Sequence, residues 1–490
     1  MRSIVIAVML AVLTAVPLWG GAPDVVWTRT FGGASYEWPW CVEETSDSGY
    51  VVTGYTGSTT DGYRHAYIVK LNANGDSVWS KTYGPEDYET VATGGKETSD
   101  GGLIISGYGI GQFGVTGADF YLMKLDSWGN LEWDNNYDYD TTTDYGFDVC
   151  QTLDGGFIMV GHCYYYSESQ GKYDWGIDIV RTDPLGVKTN HVLLDISGSQ
   201  DLNRVVATSD SGAVAVGTAG AIYIVKIDKL GNIAWRKGYG GVGAGWGILE
   251  LPGGGYMAFG DRDYGYPNDE DFWLLRLDTN GDTLWTRRYQ NPAPDLGYGL
   301  DQTSDGGFIM TGDTYRNGGV DPKDIYVIRT DANGDTLWTK SIGGDNYEYS
   351  YCIKQTFDGG YIVAGRTDSY GAGDDDFYIV KLAPDNPSSV DDAEEIRPTS
   401  FSLSPNYPNP FNPSTTIEYS LDRRAHVRIE IFNVIGQRVR TVVDDTKSAG
   451  SYCVVWDGLD DTGVPAPTGV YLYRMDTDGL TQAKKMLLLK

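Results

Sequence analysis

The chain has 490 residues and a formal net charge of −30, from 37 Lys and Arg against 67 Asp and Glu. Such an acidic protein is repelled by nucleic acid and by anionic membrane surfaces, which leaves neutral or cationic partners. Its content of Gly (65), Tyr (36) and Trp (14) favours turn-rich β structure over helix, and its length suffices for two or three domains.

Residues 1–22 have the features of an export signal. Arg2 provides a positive start, residues 4–19 form an apolar core, and small residues follow. A membrane anchor is the alternative, but an apolar run of 16 residues is short for a spanning helix. No later run is long and apolar enough to span. We therefore predict a signal peptide over 1–22 and an exported mature protein without a transmembrane segment.

The strongest pattern in the chain is an internal repeat of about 52 residues. The segment SDGGFIMTG (304–312) occurs in seven related copies, each followed by an apolar segment such as FYIVKL (377–382). Each unit is predicted to form four short strands, a to d. We predict an all-β fold with a seven-bladed β-propeller over 23–385, with a β-solenoid or elongated array as the alternative. Strand d carries a Trp in most copies, and Asn190 takes its place in the third: Trp27, Trp79, Trp133, Trp235, Trp285, Trp338.

The phase of the repeat predicts a closed ring. The series begins with an isolated d-type strand at 25–33 and ends with strands a, b and c but no d. The N-terminal strand can therefore complete the last blade and remove an exposed sheet edge. Closure would also place Cys41 and Cys352 at the same strand-a position of neighbouring blades, where a disulfide is conceivable. The other three of the five cysteines are predicted to be free thiols.

The connections between strands predict where a ligand would bind. The a–b and c–d turns are uniform, whereas the b–c and d–a connections vary in length and are rich in Tyr, Trp and Asp. We call the side that carries these variable connections the variable face. Aromatic rings and carboxylates suit sugar rings, cationic peptides or calcium-bridged polysaccharide. The alternative is that the acidic loops only keep the protein soluble. The candidate ligand-binding residues are Tyr36, Trp38, Trp40, Tyr164, Tyr165, Tyr166, Asp261, Asp263, Tyr264, Asp374 and Asp375.

Catalytic and metal motifs are not found in the sequence. There is no GxSxG or HExxH segment, and the four His residues lack metal-ligand spacing. We favour a binding protein over an enzyme; a polysaccharide hydrolase or lyase using carboxylates of the variable face is the alternative. No metal or cofactor is predicted, although DANGDTLW (331–338) resembles half a calcium loop. An EF-hand loop needs Gly at position six and Glu at twelve, where this segment has Gly334 at four and Ile342 at twelve. Sister turns keep the Gly and lose the acids, as expected of a hairpin turn.

Each strand c carries one basic residue, which we predict to pair with an Asp of a turn because a half-buried cation needs a partner. These residues are Lys70, Lys124, Arg181, Lys226, Arg276, Arg329 and Lys381. The LDxxGxxxW pattern also resembles the repeat of quinoprotein-type propellers, in which a Trp docks each blade to the next. That resemblance covers the blade scaffold only, because no ligand of that family's cofactor can be matched here.

The C-terminal part of the chain has a different pattern. Residues 386–400 are rich in Pro, Ser and acid and are predicted to be a linker. Residues 401–490 alternate apolar and polar residues between Gly and Pro turns, which predicts a small Ig-like β-sandwich. The segments that carry a family resemblance are YPNPFNPSTTIEYSL (407–421), IFNVIGQRV (431–439), AGSYCVVWDG (449–458), PTGVYLYRM (467–475) and KKMLLLK (484–490).

These segments resemble the type A C-terminal sorting domain of the type IX secretion system and the related Ig-like domain of flagellar hook-capping proteins. The resemblance implies an export address that is read by an outer-membrane translocon. It also implies a protein secreted by a Gram-negative bacterium or attached to its outer surface. An ordinary Ig-like module without sorting activity is the alternative. We therefore expect an exported propeller that binds an extracellular glycan or protein.

Overall fold

The computed structural model describes two compact units, Met1–Ser388 and Ser389–Lys490. Its described residues form strands and turns and no helix. None of them belongs to a helix long and apolar enough to cross a membrane. Residues 1–20 of the predicted signal peptide and the whole predicted linker (386–400) lie outside the described residues. The described residues are 21–86, 88–110, 117–137, 143–167, 171–196, 200–263, 270–290, 295–316, 322–385, 401–403, 406, 409, 411, 415–421, 423, 425–447, 450–477 and 480–489.

The N-terminal unit contains seven four-stranded antiparallel sheets, one for each repeat. Blade 1 contains β2 (Glu37–Glu44), β3 (Tyr50–Thr56), β4 (His65–Leu71) and β5 (Ser77–Tyr83); blade 2, β6 (Glu89–Glu97), β7 (Leu103–Ile110), β8 (Ala118–Leu125) and β9 (Leu131–Tyr137); blade 3, β10 (Thr143–Gln151), β11 (Phe157–Ser167), β12 (Lys172–Thr182) and β13 (Lys188–Leu194); blade 4, β14 (Gln200–Ala207), β15 (Ala213–Ala219), β16 (Ile222–Ile227) and β17 (Ile233–Tyr239). Blade 5 contains β18 (Gly243–Glu250), β19 (Tyr256–Asp263), β20 (Glu270–Leu277) and β21 (Thr283–Tyr289); blade 6, β22 (Asp295–Gln302), β23 (Phe308–Tyr315), β24 (Lys323–Thr330) and β25 (Thr336–Ile342); blade 7, β26 (Glu348–Gln355), β27 (Tyr361–Thr367), β28 (Asp376–Leu382) and the N-terminal β1 (Val25–Phe31).

The ring is closed by the first strand of the chain. β1 pairs antiparallel with β28, with Trp27 opposite Lys381, so the last blade combines both ends of the propeller. A side-chain contact reinforces the closure, because the backbone N–H of Phe357 in blade 7 donates to the Glu44 carboxylate of blade 1 at 2.6 Å. The all-β fold class, with a seven-bladed propeller, is confirmed, and the pairing of β1 covers the edge of β28 that would otherwise be exposed in the last blade.

The basic residue of strand c is buried and pairs with the Asp of the a–b turn of its own blade. Lys226 is 5% exposed, and its ammonium lies 2.9 Å from the Asp210 carboxylate. The same pairing joins Lys70–Asp47, Lys124–Asp100, Arg181–Asp154, Arg329–Asp305 and Lys381–Asp358. Blade 5 has Gly where the others have Asp, so its Arg276 donates to the Gly254 carbonyl instead, at 2.7 Å. These pairs connect strand c to the a–b turn of the same blade.

At five of the seven junctions between blades, a Trp of one blade packs against the Gly of the next blade's c–d turn. At Gly334 (φ +80°), an added Cβ would lie 2.9 Å from the ring of Trp285, which belongs to the preceding blade. Trp27 lies against Gly75, Trp79 against Gly129, Trp133 against Gly186 and Trp235 against Gly281 in the same way. The Gly is therefore required twice, by the left-handed backbone and by the neighbour's indole. In blade 3 Asn190 replaces the Trp, and its amide donates to the Leu230 carbonyl of blade 4 at 3.0 Å.

The C-terminal unit is a two-sheet β-sandwich. One sheet contains β29 (Ser402–Leu403), β30 (Thr415–Leu421) and β33 (Gly450–Trp456); the other contains β31 (Ala425–Asn433), β32 (Arg438–Lys447), β34 (Gly469–Thr477) and β35 (Leu480–Leu488). Trp456 is fully buried in its core, where its ring lies 5.5 Å from Phe411 and 5.1 Å from Tyr471. Its indole N–H donates to the Leu459 carbonyl at 2.8 Å.

Candidate functional site at the channel mouth

The innermost strand of every blade has a β-bulge at the same position. In blade 1 the register shifts between Pro39 and Cys41, so that Trp40 is the extra residue. The bulged residues of all seven blades are Trp40, Thr93, Phe147, Asn203, Trp246, Tyr298 and Tyr351. A bulge re-aims its side chain. Five of these side chains line one cavity inside the ring, so the bulges direct one residue from each of those blades into the central channel.

The cavity has a volume of about 250 Å³ and is lined by three aromatic and four polar or charged residues. Trp40, Phe147 and Trp246 form its apolar wall, and Arg204 with Asp201 provides its charged groups. The Arg204 guanidinium crosses the channel and donates to the Trp40 carbonyl at 3.2 Å. No described carboxylate lies within salt-bridge distance of this guanidinium. Burial raises the pKa of Asp201, although hydrogen bonds from Thr218 and Asn203 oppose the shift. The cavity therefore combines apolar rings with a cation that has only carbonyl partners.

Aromatic rings continue from the cavity around one side of the channel mouth. Trp40 contacts Tyr351 at a ring-centroid distance of 5.1 Å, Tyr351 contacts Tyr298 at 5.5 Å, and Tyr298 contacts Trp246 at 5.3 Å. The four rings come from blades 1, 7, 6 and 5 in order around the ring. We call these four residues the aromatic arc.

Several predicted residues lie against the aromatic arc. The Trp38 indole N–H donates to the Asp375 carboxylate at 3.3 Å, and Arg366 donates to the same carboxylate at 2.6 Å. The Arg366 guanidinium stacks over Trp38 at 4.1 Å from the ring centroid and donates to the Tyr351 hydroxyl at 3.0 Å. Asp375 is thus engaged in an ion pair that orders the mouth. Tyr36, 37% exposed, lies next to this group through Tyr55, at a centroid distance of 6.3 Å.

The predicted acidic residues of blades 5 and 7 are placed differently from one another. Asp261 is buried, and the Trp246 indole N–H donates to it at 3.1 Å, which connects it to the aromatic arc. Burial raises the pKa of Asp261 to about 7. Asp374 is exposed, and its backbone N–H donates to the Ser35 carbonyl at 3.1 Å. Asp263 ends strand β19, and Tyr264 lies outside the described residues.

The three predicted Tyr residues of blade 3 lie on its long hairpin. Tyr166 is 54% exposed, whereas Tyr165 is buried and points to the opposite side. Tyr164 contacts Trp175 at a centroid distance of 5.0 Å. The rings of Trp175, His162 and Phe147 then follow in contact, with distances of 4.7 and 5.0 Å, and Phe147 lines the cavity. An aromatic path therefore connects the hairpin to the channel.

The strand residues that follow the bulges include a group of partly buried charges and two buried thiols. Lys96 pairs with Glu43, and Lys354 lies 3.5 Å from the same carboxylate. The Cys41 and Cys352 sulfur atoms are 3.9 Å apart in reduced form. The hydrogen bond between Cys41 and Cys352 and the charge of Lys354 lower the pKa of the Cys352 thiol below its usual value, against the effect of burial.

The NGD turns of blades 5 and 6 lie at the opposite end of the blades, and the first acid of each turn accepts backbone N–H groups of the same turn, whereas the last one pairs with a base of the preceding blade, as in Lys237–Asp282 and Arg287–Asp335. The Asp331 carboxylate accepts the backbone N–H groups of Asn333 at 2.8 Å and Asp335 at 2.9 Å. Asp278 makes the same two contacts in blade 5, with Asn280 and Asp282 at 2.8 Å each. These are the contacts of an Asx turn. The prediction of no cofactor stays a prediction.

The bulged residues other than Trp40, and Arg204, were not predicted from the sequence. A usable signal existed, because each bulged residue stands five positions before the residue that opens the a–b turn, as in Trp40 and Thr45 or Tyr351 and Thr356. The predicted residues were chosen from loops, whereas the bulges place strand residues in the channel.

Comparisons with known proteins support the Ig-like fold of the C-terminal unit. Residues 412–479 match the family of the FlgD Ig-like domain, so the C-terminal unit contains an Ig-like domain. No curated protein matches the chain. Similar solved structures include the Neurospora crassa Pan2 WD40 domain (10% identity, 75% of this chain and 98% of that chain covered, TM-score 0.46) and YCF48 bound to D1 peptide (10%, 76% and 100%, 0.43). Another is PorZ, a surface component of the type-IX secretion system of Porphyromonas gingivalis (9%, 96% and 87%, 0.28).

Proposed function

We propose that the protein is an exported binding module that holds the terminal group of an extracellular glycan or peptide in the channel cavity. The observation that carries the proposal is the set of bulges, which gathers aromatic rings and Arg204 around one cavity. At about 250 Å³ the cavity is smaller than the ~300–1,000 Å³ of pockets for drug-sized ligands, so it suits an end group better than the middle of a polymer.

The chemistry of the cavity favours an end group with a flat or apolar face and a carboxylate. Trp40 and Trp246 offer flat surfaces for a sugar ring or an apolar side chain. Arg204 carries a guanidinium, which matches a carboxylate by two parallel hydrogen bonds. An acidic sugar at a glycan end and the free C-terminus of a peptide both present that combination. The overall charge of −30 disfavours polyanions, so a single carboxylate is expected.

An array of glycans with acidic or neutral ends, printed beside peptides with free or amidated C-termini, tests the proposal with the full chain. We expect acidic ends or free C-termini to bind, and Trp246→Ala and Arg204→Gln each to weaken binding at least tenfold. Trp128→Ala is the matched control, because Trp128 is 72% exposed on a c–d turn away from the variable face. Binding that survives both channel substitutions, or that is lost equally with Trp128→Ala, would exclude the channel as the site.

A second candidate function rests on Asp261. A carboxyl group whose pKa is raised to about 7 is protonated for much of the time at neutral pH, and such a group can act as a general acid in glycoside hydrolysis. Its hydrogen bond with Trp246 places it beside the cavity. Incubation of the full chain with a panel of polysaccharides tests this alternative. Turnover that Asp261→Asn abolishes would replace the binding proposal; turnover that Asp261→Asn leaves intact would exclude Asp261 as the acid.

We further propose that residues 401–490 act as a type IX export address. The match to the FlgD Ig-like domain and the resemblance of its segments to type A sorting domains support the assignment. Val434 and Ile435, 70% and 74% exposed at the turn of the β31–β32 hairpin, offer an apolar contact for a translocon. Deletion of 401–490 is expected to leave the propeller in the periplasm of a type IX-secreting host. Unchanged surface display of the deletion variant would refute the assignment.

A further inference from the structure

Blade 3 departs from the other six blades at one buried position. Opposite the invariant Gly of strand b, six blades place an aromatic residue on strand c, whereas blade 3 places Asp178 opposite Gly161. The six aromatic residues are Tyr67, Tyr121, Tyr223, Trp273, Tyr326 and Tyr378. The scaffold therefore does not require a carboxylate there. Burying one costs free energy unless something stabilises its charge.

The neighbouring pair in blade 3 has also changed. In blade 7, Thr367 on strand b donates to the Glu348 carboxylate on strand a at 2.8 Å, and in blade 1 Thr56 and Glu37 make the same contact. Blade 3 keeps the acid, Asp144, but its cross-strand partner is Cys163. A thiol is a much weaker hydrogen-bond donor than a hydroxyl. It is, in its ionised form, a much better metal ligand.

These changes bring three metal-binding side chains together. Donor atoms of Asp144, Cys163 and Asp178 all lie within 4.8 Å of one another, and the residues are 1%, 2% and 1% exposed. Around a tetrahedral zinc ion, with bonds of about 2.0–2.3 Å, donor atoms lie roughly 3–4 Å apart, so small side-chain rotations close the site. One oxygen of Asp178 accepts from His191 at 2.5 Å, and the other is buried without a hydrogen-bond partner. That second oxygen has a lone pair for a cation.

We propose that blade 3 binds one divalent cation of the zinc class through Asp144, Cys163 and Asp178. His191 is a positioning residue, because its hydrogen bond fixes the orientation of the Asp178 carboxylate. A thiolate with two carboxylates suits zinc better than magnesium or calcium, which prefer oxygen ligands only. On binding, the Cys163 S–H bond is broken, a sulfur–metal bond forms, and the proton is released to water.

The burial of all three ligands indicates a structural role. The ion joins strands β10, β11 and β12 in the one blade whose strand d carries Asn190 where the others have a docking Trp. The donor atoms of the three ligands lie within 4.8 Å of one another and belong to three neighbouring strands. A bound cation cross-links these strands and tightens the blade.

The test uses the full, untagged chain refolded with and without Zn²⁺, and with Co²⁺ as a spectroscopic probe. We expect one Zn²⁺ per chain by elemental analysis, a thiolate-to-Co²⁺ charge-transfer absorption, and a higher melting temperature with the metal. The double variant Cys163→Thr/Asp178→Tyr gives blade 3 the residues of other blades, so it should fold, bind no metal and melt at the same temperature in both buffers. Cys150→Ala removes another buried thiol of blade 3 and should leave the metal bound.

A second variant separates the positioning role from a ligand role. His191→Gln is expected to weaken Zn²⁺ binding about 10- to 100-fold while the Co²⁺–thiolate absorption is kept at saturating metal. Refolded wild-type protein that contains no metal would overturn the proposal. So would a Cys163→Thr/Asp178→Tyr variant that binds one equivalent as tightly as wild type, because the ligands would then lie elsewhere.

Discussion

Replacing Gly334 by Ala tests whether the Gly that recurs in the c–d turns is needed for docking between blades or only for the turn. Gly334 has φ +80°, and an added Cβ would lie 2.9 Å from the Trp285 ring and 3.0 Å from Arg287. The left-handed backbone costs an Ala about 1–2 kcal/mol. Displacing a packed indole costs about 1–3 kcal/mol more. We therefore expect Gly334→Ala to lower the free energy of unfolding by about 2–5 kcal/mol.

Gly306→Ala is the matched control within the same blade. Gly306 has φ +87°, but the nearest atom to an added Cβ is the Ala332 Cβ at 3.9 Å, so only the backbone cost of about 1–2 kcal/mol is expected. The assay is urea unfolding of the full chain followed by tryptophan fluorescence, with the two variants compared at equal slope. The difference between the variants measures the docking contact alone.

A double-mutant cycle completes the test. In a Trp285→Leu background the indole is gone, so Gly334→Ala should cost no more than Gly306→Ala does. If Gly334→Ala and Gly306→Ala are equally destabilising in the wild-type background, the Trp–Gly contact carries no docking energy. The turn would then serve chain reversal only.

Three further outcomes follow from titratable groups of the propeller. Burial raises the pKa of Asp210, but hydrogen bonds from Thr208 and Lys226 outweigh this effect and lower the pKa overall. The Asp210–Lys226 pair therefore stabilises the folded state above the unfolded pKa of about 3.9, and this stabilisation is lost as the pH falls through the folded pKa. Asp210→Asn should flatten the acid limb of a plot of urea midpoints against pH. Burial lowers the pKa of His162 from 6.5 to about 4. The neutral imidazole therefore contributes about 3 kcal/mol to the free energy of unfolding above pH 6.5, and this contribution is lost as the pH falls toward 4. His162→Phe should remove that loss, and an imidazole NMR resonance that titrates near 6.5 would contradict the prediction. Dilute hydrogen peroxide should oxidise the Cys352 thiolate to a sulfenic acid that Cys41, 3.9 Å away, converts to a disulfide; peptide mapping that finds only higher oxides at Cys352 would refute this.

The propeller could be predicted because its repeat is visible in local sequence features. The Asp–Gly turn, the apolar strands and the Trp recur in register, and the isolated strand at Val25–Phe31 supplies the missing pairing of the last blade. The pairing of Lys226 with Asp210 was predicted for the same reason, since both residues recur in nearly every copy. Blade 5 is the exception: it lacks the turn Asp, and Arg276 donates to a backbone carbonyl instead.

The candidate site could be predicted only in part, because its geometry depends on contacts between blades. Trp38 and Asp375 were chosen from two distant loops, and their contact depends on the ring closure that brings blades 1 and 7 together. Arg204 was missed because its partner, the Trp40 carbonyl, is 164 residues away and across the channel. A one-residue bulge changes which side chain faces the channel, and its position is marked only by the constant spacing to the a–b turn, not by the propensity of the bulged residue itself.

The repeated turn contacts and the groups that line the channel belong to different parts of each blade. The Asp–Lys pair and the Trp–Gly contact lie at the uniform turns, whereas the bulged residues lie at the other end of strand a. Thr93 in blade 2 and Trp246 in blade 5 occupy the same bulge although they differ greatly in size. A substitution at a bulge therefore changes the lining of the channel and leaves the turn contacts in place, while it also alters side-chain contacts between neighbouring blades such as Trp40–Tyr351. For the proposed binding function, the channel lining can thus diverge while the repeated turn contacts are kept.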